Sequence, residues 1–518
     1  MVNFAKFKKL ILQKKMKNLL LFLLILAFPA QAQKYWVFLK DKDVSAYDYR
    51  KHLSEQTIKN RLLLKLDLQQ NTDIPINQVY LEAIKAQNVQ IIHQSKWLNA
   101  VSAVLNNSQI EALKKLPFVE KIQKMGNTKI LSLPKTNEKN YDLALKQMKA
   151  EVFADSALNG KGILIGVIDG GFYGADSDFS LEHLFKEKKI LGIKDWVNPK
   201  KTDHFSEFGS ETHNHGTTVL SMITGYTELS QTGLATQAKF YLARSENSDR
   251  EYRQEEDYWV LAMEWLDSLG VRIINTSLGY ANGFDDPAEN YKPEQMNGQT
   301  SVISKAAQIA YSEKGILVVV AAGNEGSDAW RIISAPADAK GALSVGATNM
   351  FKTKIYYSSI GTDFLPYLKP NISCYSENGT SFSAPMIAGF AACLLQSKPN
   401  AQNSELFDAI EKSANLYPFG NYFIGYGIPN APKALEILHG NIPKNQIQKE
   451  VKAKKEYFLA EKIKKGSQII VFHKKNERTV ISQDYFSFNP KKQQILQPAG
   501  VLKTTLAWEG GVIEIVWE

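Results

Sequence analysis

The middle of the chain carries runs of apolar residues with little polar alternation. ILIGVID (163–169), RIINTSLG (272–279), ILVVVAAGN (316–324) and ALSVGAT (342–348) are the clearest. Such runs suit strands buried on both faces, as in a parallel sheet covered by helices. Between them lie longer segments with helical spacing, EEDYWVLAMEWLDSLG (255–270) and SVISKAAQIAYSEKG (301–315). Each ends in a glycine, Gly270 or Gly315, as helix C-termini often do. The pattern predicts an α/β domain with an open, mostly parallel sheet over residues 144–440. In such sheets ligands sit beyond the carboxyl ends of the strands.

The flanks read differently. In residues 33–126, KYWVFL (34–39), VQIIHQ (89–94) and FVEKIQ (118–123) look like strands, and WLNAVSAVL (97–105) follows the second. NSQIEALKKL (107–116) looks like a helix, with Asn107 as its N-cap. This order predicts a small α+β domain. Residues 127–143 are polar, contain Pro134 and lack a period, which reads as a linker. Residues 441–518 begin lysine-rich and end strand-like, in SQIIVFH (467–473) and GGVIEIVWE (510–518). The stretch KEVKAKKEYFLAEKIKKG (449–466) is broken by Glu450, Glu456 and Glu461, so it reads as a solvated linker or helix. No internal repeat is present.

A length of 518 residues allows two or three domains, and 44% hydrophobic content is enough for a sizeable core. The formal charge of +9 does not point to nucleic acid. Six of those charges, on Lys6, Lys8, Lys9, Lys14, Lys15 and Lys17, fall in the first 32 residues, which hold no acid. From Met16 a basic start leads into a short apolar run and then Ala30-Gln31-Ala32. Residues 16–32 therefore read as a signal peptide, too short for a comfortable membrane span. The chain is expected to be exported, to the periplasm or beyond, with no permanent membrane anchor. Cys374 and Cys393 are the only cysteines. They could pair in an oxidising compartment or act as separate small apolar side chains.

Four positions in the α/β domain raise a chemical question. Asp169 ends the first buried run. His215 stands in HNHGTTVLSMITG, before an apolar helical pattern. Asn324 follows a buried run in AAGNEG, and Ser381 lies in ENGTSFSAPMIAGFAACLL (377–395). A serine hydroxyl needs a base to become a nucleophile, and an imidazole can serve. An aspartate can hold that imidazole in one tautomer. The Ser381 N–H at a helix start and the Asn324 amide can stabilise an oxyanion. Taken singly, each residue has an ordinary structural explanation as a cap, a turn or a satisfied core histidine.

The order Asp…His…Ser, with VIDGG, HGT, SLG, AAGNEG and GTSFSAP, closely resembles the subtilisin-like serine peptidases, or subtilases. The resemblance covers residues 144–440. It implies a three-layer fold around a parallel sheet and an Asp169–His215–Ser381 triad, with Asn324 as oxyanion donor. Ser277, Leu278 and Gly279 would pair with substrate backbone, and Ala321, Ala322 and Gly323 would wall the specificity pocket. WLNAVSAVLNNSQIEALKKLPFVEKI (97–122) is similar to a subtilase inhibitory propeptide, so residues 33–126 would be a partner of the enzyme as well as part of its chain. The implied function is a secreted serine endopeptidase acting on proteins or peptides. The alternative is a binding protein on the same scaffold with catalysis lost. No cofactor is implied for catalysis. Structural calcium is common in the family, but no ligand residue is assigned here.

Three features depart from the family pattern. Gly170 stands where Ser or Thr is frequent, Thr218 where histidine is frequent, and the segment between KPNI (369–372) and Ser381 is short. His204, His213 and His215 raise the question of a metal, but no Glu or Cys ligand pattern accompanies them. An esterase of the α/β-hydrolase kind would need G-x-S-x-G and another triad order.

Overall fold

The computed structural model describes residues 33–44, 47–124, 141–206, 214–247, 254–282, 284, 286–442, 447–459, 461–491 and 494–518. The expected signal peptide, residues 127–140 of the linker, and His213 lie outside the described residues. The chain divides into two compact units. One is built from the chain up to Asp43 with Pro75–Ser95 and Asn99–Met125; the other from Val44–Ile74, Lys96–Leu98 and Gly126–Glu518. The stretch 33–126, read from sequence as one domain, is thus shared between them.

The first unit is a four-stranded antiparallel sheet. Its strands are β1 (Gln33–Leu39), β2 (Ile91–Ser95), β3 (Ala100–Leu105) and β4 (Val119–Lys124), in the order β2-β3-β1-β4. The helices Gln78–Lys85 and Asn107–Lys114 supply Leu81, Ile84 and Leu113 to a core with Val37, Leu39, Val101 and Leu105. The second helix is capped by Asn106, one residue before the expected Asn107. The Asn106 side chain accepts from the Gln109 N–H at 3.0 Å, and the Gln109 side chain accepts from the Asn106 N–H at 3.0 Å. This reciprocal pair satisfies two orphan donors at once, which fixes the start there.

The second unit holds the buried runs. β5 (Leu164–Asp169), β6 (Ile190–Asp195), β7 (Lys239–Arg244), β8 (Ile273–Thr276), β9 (Leu317–Ala321), β10 (Ala342–Thr348) and β11 (Ile372–Tyr375) form one sheet. Its order is β11-β10-β9-β8-β5-β7-β6, and every pairing is parallel. β8, β9, β10 and β11 are buried at every residue, as runs without alternation require. The helix Thr380–Ser397 packs on β8, β9, β10 and β11 and on the helix His215–Thr224. Being apolar nearly all round, it can only sit inside. Cys374 and Cys393 are free and buried, with no disulfide between them. Burial pushes the Cys374 thiol up to about 12, so it behaves as a small apolar side chain.

The C-terminal segment forms a five-stranded sheet. β12 (Ile447–Ala453), β14 (Gln468–Lys474), β15 (Val480–Ser487), β17 (Lys503–Trp508) and β18 (Gly511–Trp517) run in the order β12-β18-β17-β14-β15. A short pair, β13 (Glu456–Phe458) with β16 (Gln494–Leu496), accompanies it. The lysine-rich stretch expected as linker or helix is therefore β12 and β13. Gln448, Lys449 and Glu450 are all exposed on β12, while Ile447, Val451 and Ala453 are half-buried and the strand pairs with β18. One face of the large sheet joins the α/β body through Leu416, Ile424, Ile470, Phe472, Ala507 and Val512.

Within this sheet Lys474 and Glu514 form a buried ion pair at 2.6 Å, and the Thr505 hydroxyl donates to the same carboxylate at 2.6 Å. Removing one partner strands the other charge. Lys474→Met should therefore destabilise the second unit by about 3–5 kcal/mol, and Lys474→Met with Glu514→Leu should restore most of it. Denaturant midpoints check this; equal losses in the single and double variants would contradict it.

Candidate active site

Three strand ends converge. β5 ends in Asp169, β8 leads into Ser277–Gly279, and β9 leads through Ala322 and Gly323 to Asn324. All are carboxyl ends of parallel neighbours, where an open α/β sheet presents ligands. The helix His215–Thr224 brings its first residue to the same edge, and the helix Thr380–Ser397 brings its second, Ser381.

The His215 Nδ1–H donates to Asp169 Oδ1 at 2.7 Å. A carboxylate can only accept, so this bond puts the proton on Nδ1 and leaves Nε2 as a base. Nε2 is buried and has no hydrogen-bond partner among the described residues. Burial opposes a charge on His215, but the charge and hydrogen bond of Asp169, helped by Glu246, outweigh it and raise the imidazole pKa. The Gly170 N–H also donates to Asp169 Oδ1, at 2.8 Å, while Oδ2 has no partner among the described residues. Gly216 explains the residue after the histidine. A Cβ there would lie 2.4 Å from the Gly171 carbonyl and 3.0 Å from the Asp169 Cβ. Only a hydrogen lets the helix approach the aspartate this closely.

Ser381 is fixed by cross-ties. Gly379 caps its helix with φ 133°, ψ 150°, a region side chains rarely enter. The Ser381 hydroxyl donates to the Ser277 carbonyl at 3.3 Å, and the Ser277 hydroxyl donates to the Ser381 carbonyl at 2.8 Å. The second bond answers a problem set by Pro385. Read from sequence, that proline would be harmless if it fell among the first four helical residues, but it is the sixth. It removes the N–H that the Ser381 carbonyl would otherwise accept from, and the Ser277 hydroxyl replaces it. The Ser381 N–H itself belongs to the first turn, which the helix leaves unpaired.

Asn324 is oriented by Thr380. Its Oδ1 accepts from the Thr380 N–H at 2.8 Å and from the Thr380 hydroxyl at 2.9 Å. With Oδ1 so held, Nδ2 is the end left to donate, and it sits 3.3 Å from where a Gly379 Cβ would stand. Ser277, Leu278, Ala321, Ala322 and Gly323 are buried, and Gly279 is half-buried. The next residue, Tyr280, pairs with Ala335 by two backbone hydrogen bonds, which stiffens this edge.

Sequence reasoning missed Thr380, the hydroxyl role of Ser277, and Glu246. Thr380 stood inside the GTS motif without a role. Glu246 follows β7 and is fully buried beside this edge; its Oε1 accepts from Tyr280 at 2.5 Å and from the Ser245 hydroxyl at 3.0 Å. Burial pushes its carboxyl up to about 7. A glutamate after a strand gives no pattern by which to find it. Thr218, the other departure, donates to the Asn214 carbonyl at 3.4 Å. His204 lies with Tyr173, Asp195 and Arg244 around a small cavity. Among the described residues no group of three or more His, Cys, Asp or Glu is placed to hold a metal.

A model described as the subtilase family, peptidase S8, matches residues 160–432. A second, the peptidase S8 propeptide domain of Bacteroidota, matches residues 34–142. Subtilisin NAT of Bacillus subtilis subsp. natto is 26% identical over 369 residues, 68% of this chain and 85% of its own. The alkaline protease of Shouchella clausii is 23% identical over 362 residues, 67% of this chain and 82% of its own. The structure of a mutant of the epidermin leader peptide processing serine protease from Staphylococcus aureus shares the fold. Its TM-score is 0.55 at 14% identity, over 78% of this chain and 99% of that one.

A titration of the His215 ring by NMR tests the electrostatics directly. The raised direction places its pKa above the ordinary value of about 6.5. Glu246→Gln should lower it. A wild-type value below about 6 would mean that burial outweighs the two carboxylates.

Proposed function

The chain belongs to the subtilase family of serine endopeptidases, and on that premise we propose that it cleaves peptide bonds through an acyl-enzyme on Ser381. His215 Nε2 takes the hydroxyl proton as Ser381 Oγ attacks the scissile carbonyl. Asp169 holds the imidazole and stabilises the imidazolium. The oxyanion meets two donors, the Ser381 N–H and Asn324 Nδ2. His215 then protonates the leaving amine, and water releases the acyl group by the reverse route. The observation that carries this reading is the 2.7 Å Asp169–His215 bond, which leaves a buried Nε2 without a partner among the described residues, at the edge that holds Ser381. The Ser381 hydroxyl rests on the Ser277 carbonyl at 3.3 Å, longer than an ordinary O–H···O bond, so little is lost when it turns to the imidazole.

The substrate would lie as an extra strand along Ser277, Leu278 and Gly279, with Ala321, Ala322 and Gly323 bounding the side-chain pocket. The N-terminal region supports a zymogen: residues 33–126 would inhibit until cleavage within residues 127–143. The apolar stretch in residues 16–32 supports export. No helix among the described residues is long and apolar enough to cross a membrane.

Ser381→Ala should lose nearly all peptidase activity while the fold persists, with a residual rate ~10³-fold above water from the oxyanion donors and binding. Asn324→Leu should lower kcat by roughly 10²–10³ with KM little changed. Steady-state kinetics on a peptide ester or amide check both. Wild-type turnover by Ser381→Ala would refute the triad, and an effect of Asn324→Leu confined to KM would refute its oxyanion role.

A further inference from the structure

Val44–Ile74 falls inside the region matched by the propeptide model, yet it is built into the peptidase unit. Its seat is specific. The helices Gln254–Ser268 and Val302–Ser312 end just before β8 and β9 begin. Asp267, Gly270, Glu313, Lys314 and Gly315 therefore lie at the amino ends of those strands, while Asp169, Asn324 and Ser277 lie at the carboxyl ends. The arm is seated on the pole away from the catalytic edge.

There it completes two helix ends. The last carbonyls of a helix have no intrahelical donor. The Thr57 hydroxyl donates to the carbonyls of Asp267 and Ser268 at 3.0 Å each, and Asn60 Nδ2 donates to Gly270 at 2.8 Å. Gln70 Nε2 does the same for Glu313 at 2.6 Å. Thr57 and Asn60 come from the arm's own helix, Glu55–Leu64, which is capped by Ser54.

A closed charge cluster sits beneath. Arg61 holds Asp73 through both nitrogens, at 2.5 and 3.1 Å, and reaches Asp267 at 3.6 Å. Lys314 pairs with Asp73 at 2.8 Å and Asp267 at 3.9 Å, and donates to the Gln70 side chain at 2.7 Å. All four charged groups are buried. Two come from the arm and two from the peptidase body; each pair is neutral by itself, and the contacts Arg61–Asp267 and Lys314–Asp73 tie one half to the other. The fit is also steric. A Cβ on Gly315 would lie 2.8 Å from Leu64, and one on Gly270 2.8 Å from Gln56. The two glycines that close the helices therefore also make room for the arm. Lys96–Leu98 adds a second touch: the Trp97 N–H donates to Glu264 at 3.1 Å.

We propose that Val44–Ile74 is an anchor by which the propeptide region grips the peptidase unit independently of the catalytic cleft. Cutting the chain between the two then leaves the N-terminal fragment bound through this seat. The inference does not depend on self-cleavage, because the bonds that hold the arm lie away from Ser381.

The test uses the full chain carrying Ser381→Ala, with a recognition sequence for a site-specific protease placed within residues 127–140. After that protease has cut, the N-terminal fragment should co-elute with the peptidase unit on gel filtration. Thr57→Ala with Asn60→Ala should speed its release at least about tenfold, since three hydrogen bonds across the seam are lost. Asp73→Leu, which leaves Arg61 and Lys314 buried with Asp267 as the one acid of the cluster, should also speed it. All three substitutions lie on the arm, so the peptidase body keeps its sequence. Hydrogen exchange at Ser268–Gly270 and Glu313–Gly315 should rise in both. Release of both variants at the parent's rate, or elution of the parent's fragment apart from the peptidase unit, would overturn the proposal.

Discussion

The constraint on which the site depends is the start of one buried helix. Ser381 must be offered at the edge of the sheet with its N–H free, on a helix that is otherwise enclosed. Gly379 supplies the turn, and Asn324 holds Thr380 by its backbone and its hydroxyl. Ser277 accepts from the serine hydroxyl and donates to its carbonyl. Two strand ends, those of β8 and β9, are thus tied to one helix terminus by side-chain hydrogen bonds. Each tie uses a buried polar group whose loss would leave a partner unsatisfied. Rigid support of this kind lets backbone and amide donors wait in place for a developing charge.

Much of this was legible in the sequence because the relevant signals are local. Buried parallel strands show as runs without alternation, and Ile163 to Thr348 contains four of them. Asp169, His215, Asn324 and Ser381 each stand at the edge of such a run or of an apolar helix, and the structure brings these edges together. What was illegible depends on partners distant in sequence. The Pro385 defect is answered by Ser277, more than a hundred residues earlier. Glu246 is remarkable neither by spacing nor by neighbours. The strands β12 and β13 hide in a lysine-rich stretch, because an outward-facing strand can be as polar as a solvated helix. The division of residues 33–126 could not be read either. The arm's cluster joins Arg61 and Asp73 to Asp267 and Lys314, and no local pattern announces so long a reach.

The two ends of the sheet therefore do different work. The carboxyl ends gather groups for chemistry, where Asp169 and Glu246 both raise the affinity of His215 for a proton. The amino ends carry a neutralised cluster of four buried charges whose members come from both sides of a seam. Buried ion clusters contribute little net stability against apolar packing, but two contacts of this one, Arg61–Asp267 and Lys314–Asp73, cross the seam. That suits a seam meant to hold in one register. The C-terminal sheet adds a second example in the Lys474–Glu514 pair.

The account rests on Ser381 being made nucleophilic by His215, and covalent labelling reads this most directly. A fluorophosphonate probe reacts with an activated serine and leaves other hydroxyls untouched. Mass spectrometry of the treated wild-type chain, once the cleft is accessible, should place the adduct on Ser381, with labelling slowed by orders of magnitude in His215→Ala. An adduct elsewhere, or labelling of Ser381 at the same rate without the imidazole, would contradict it.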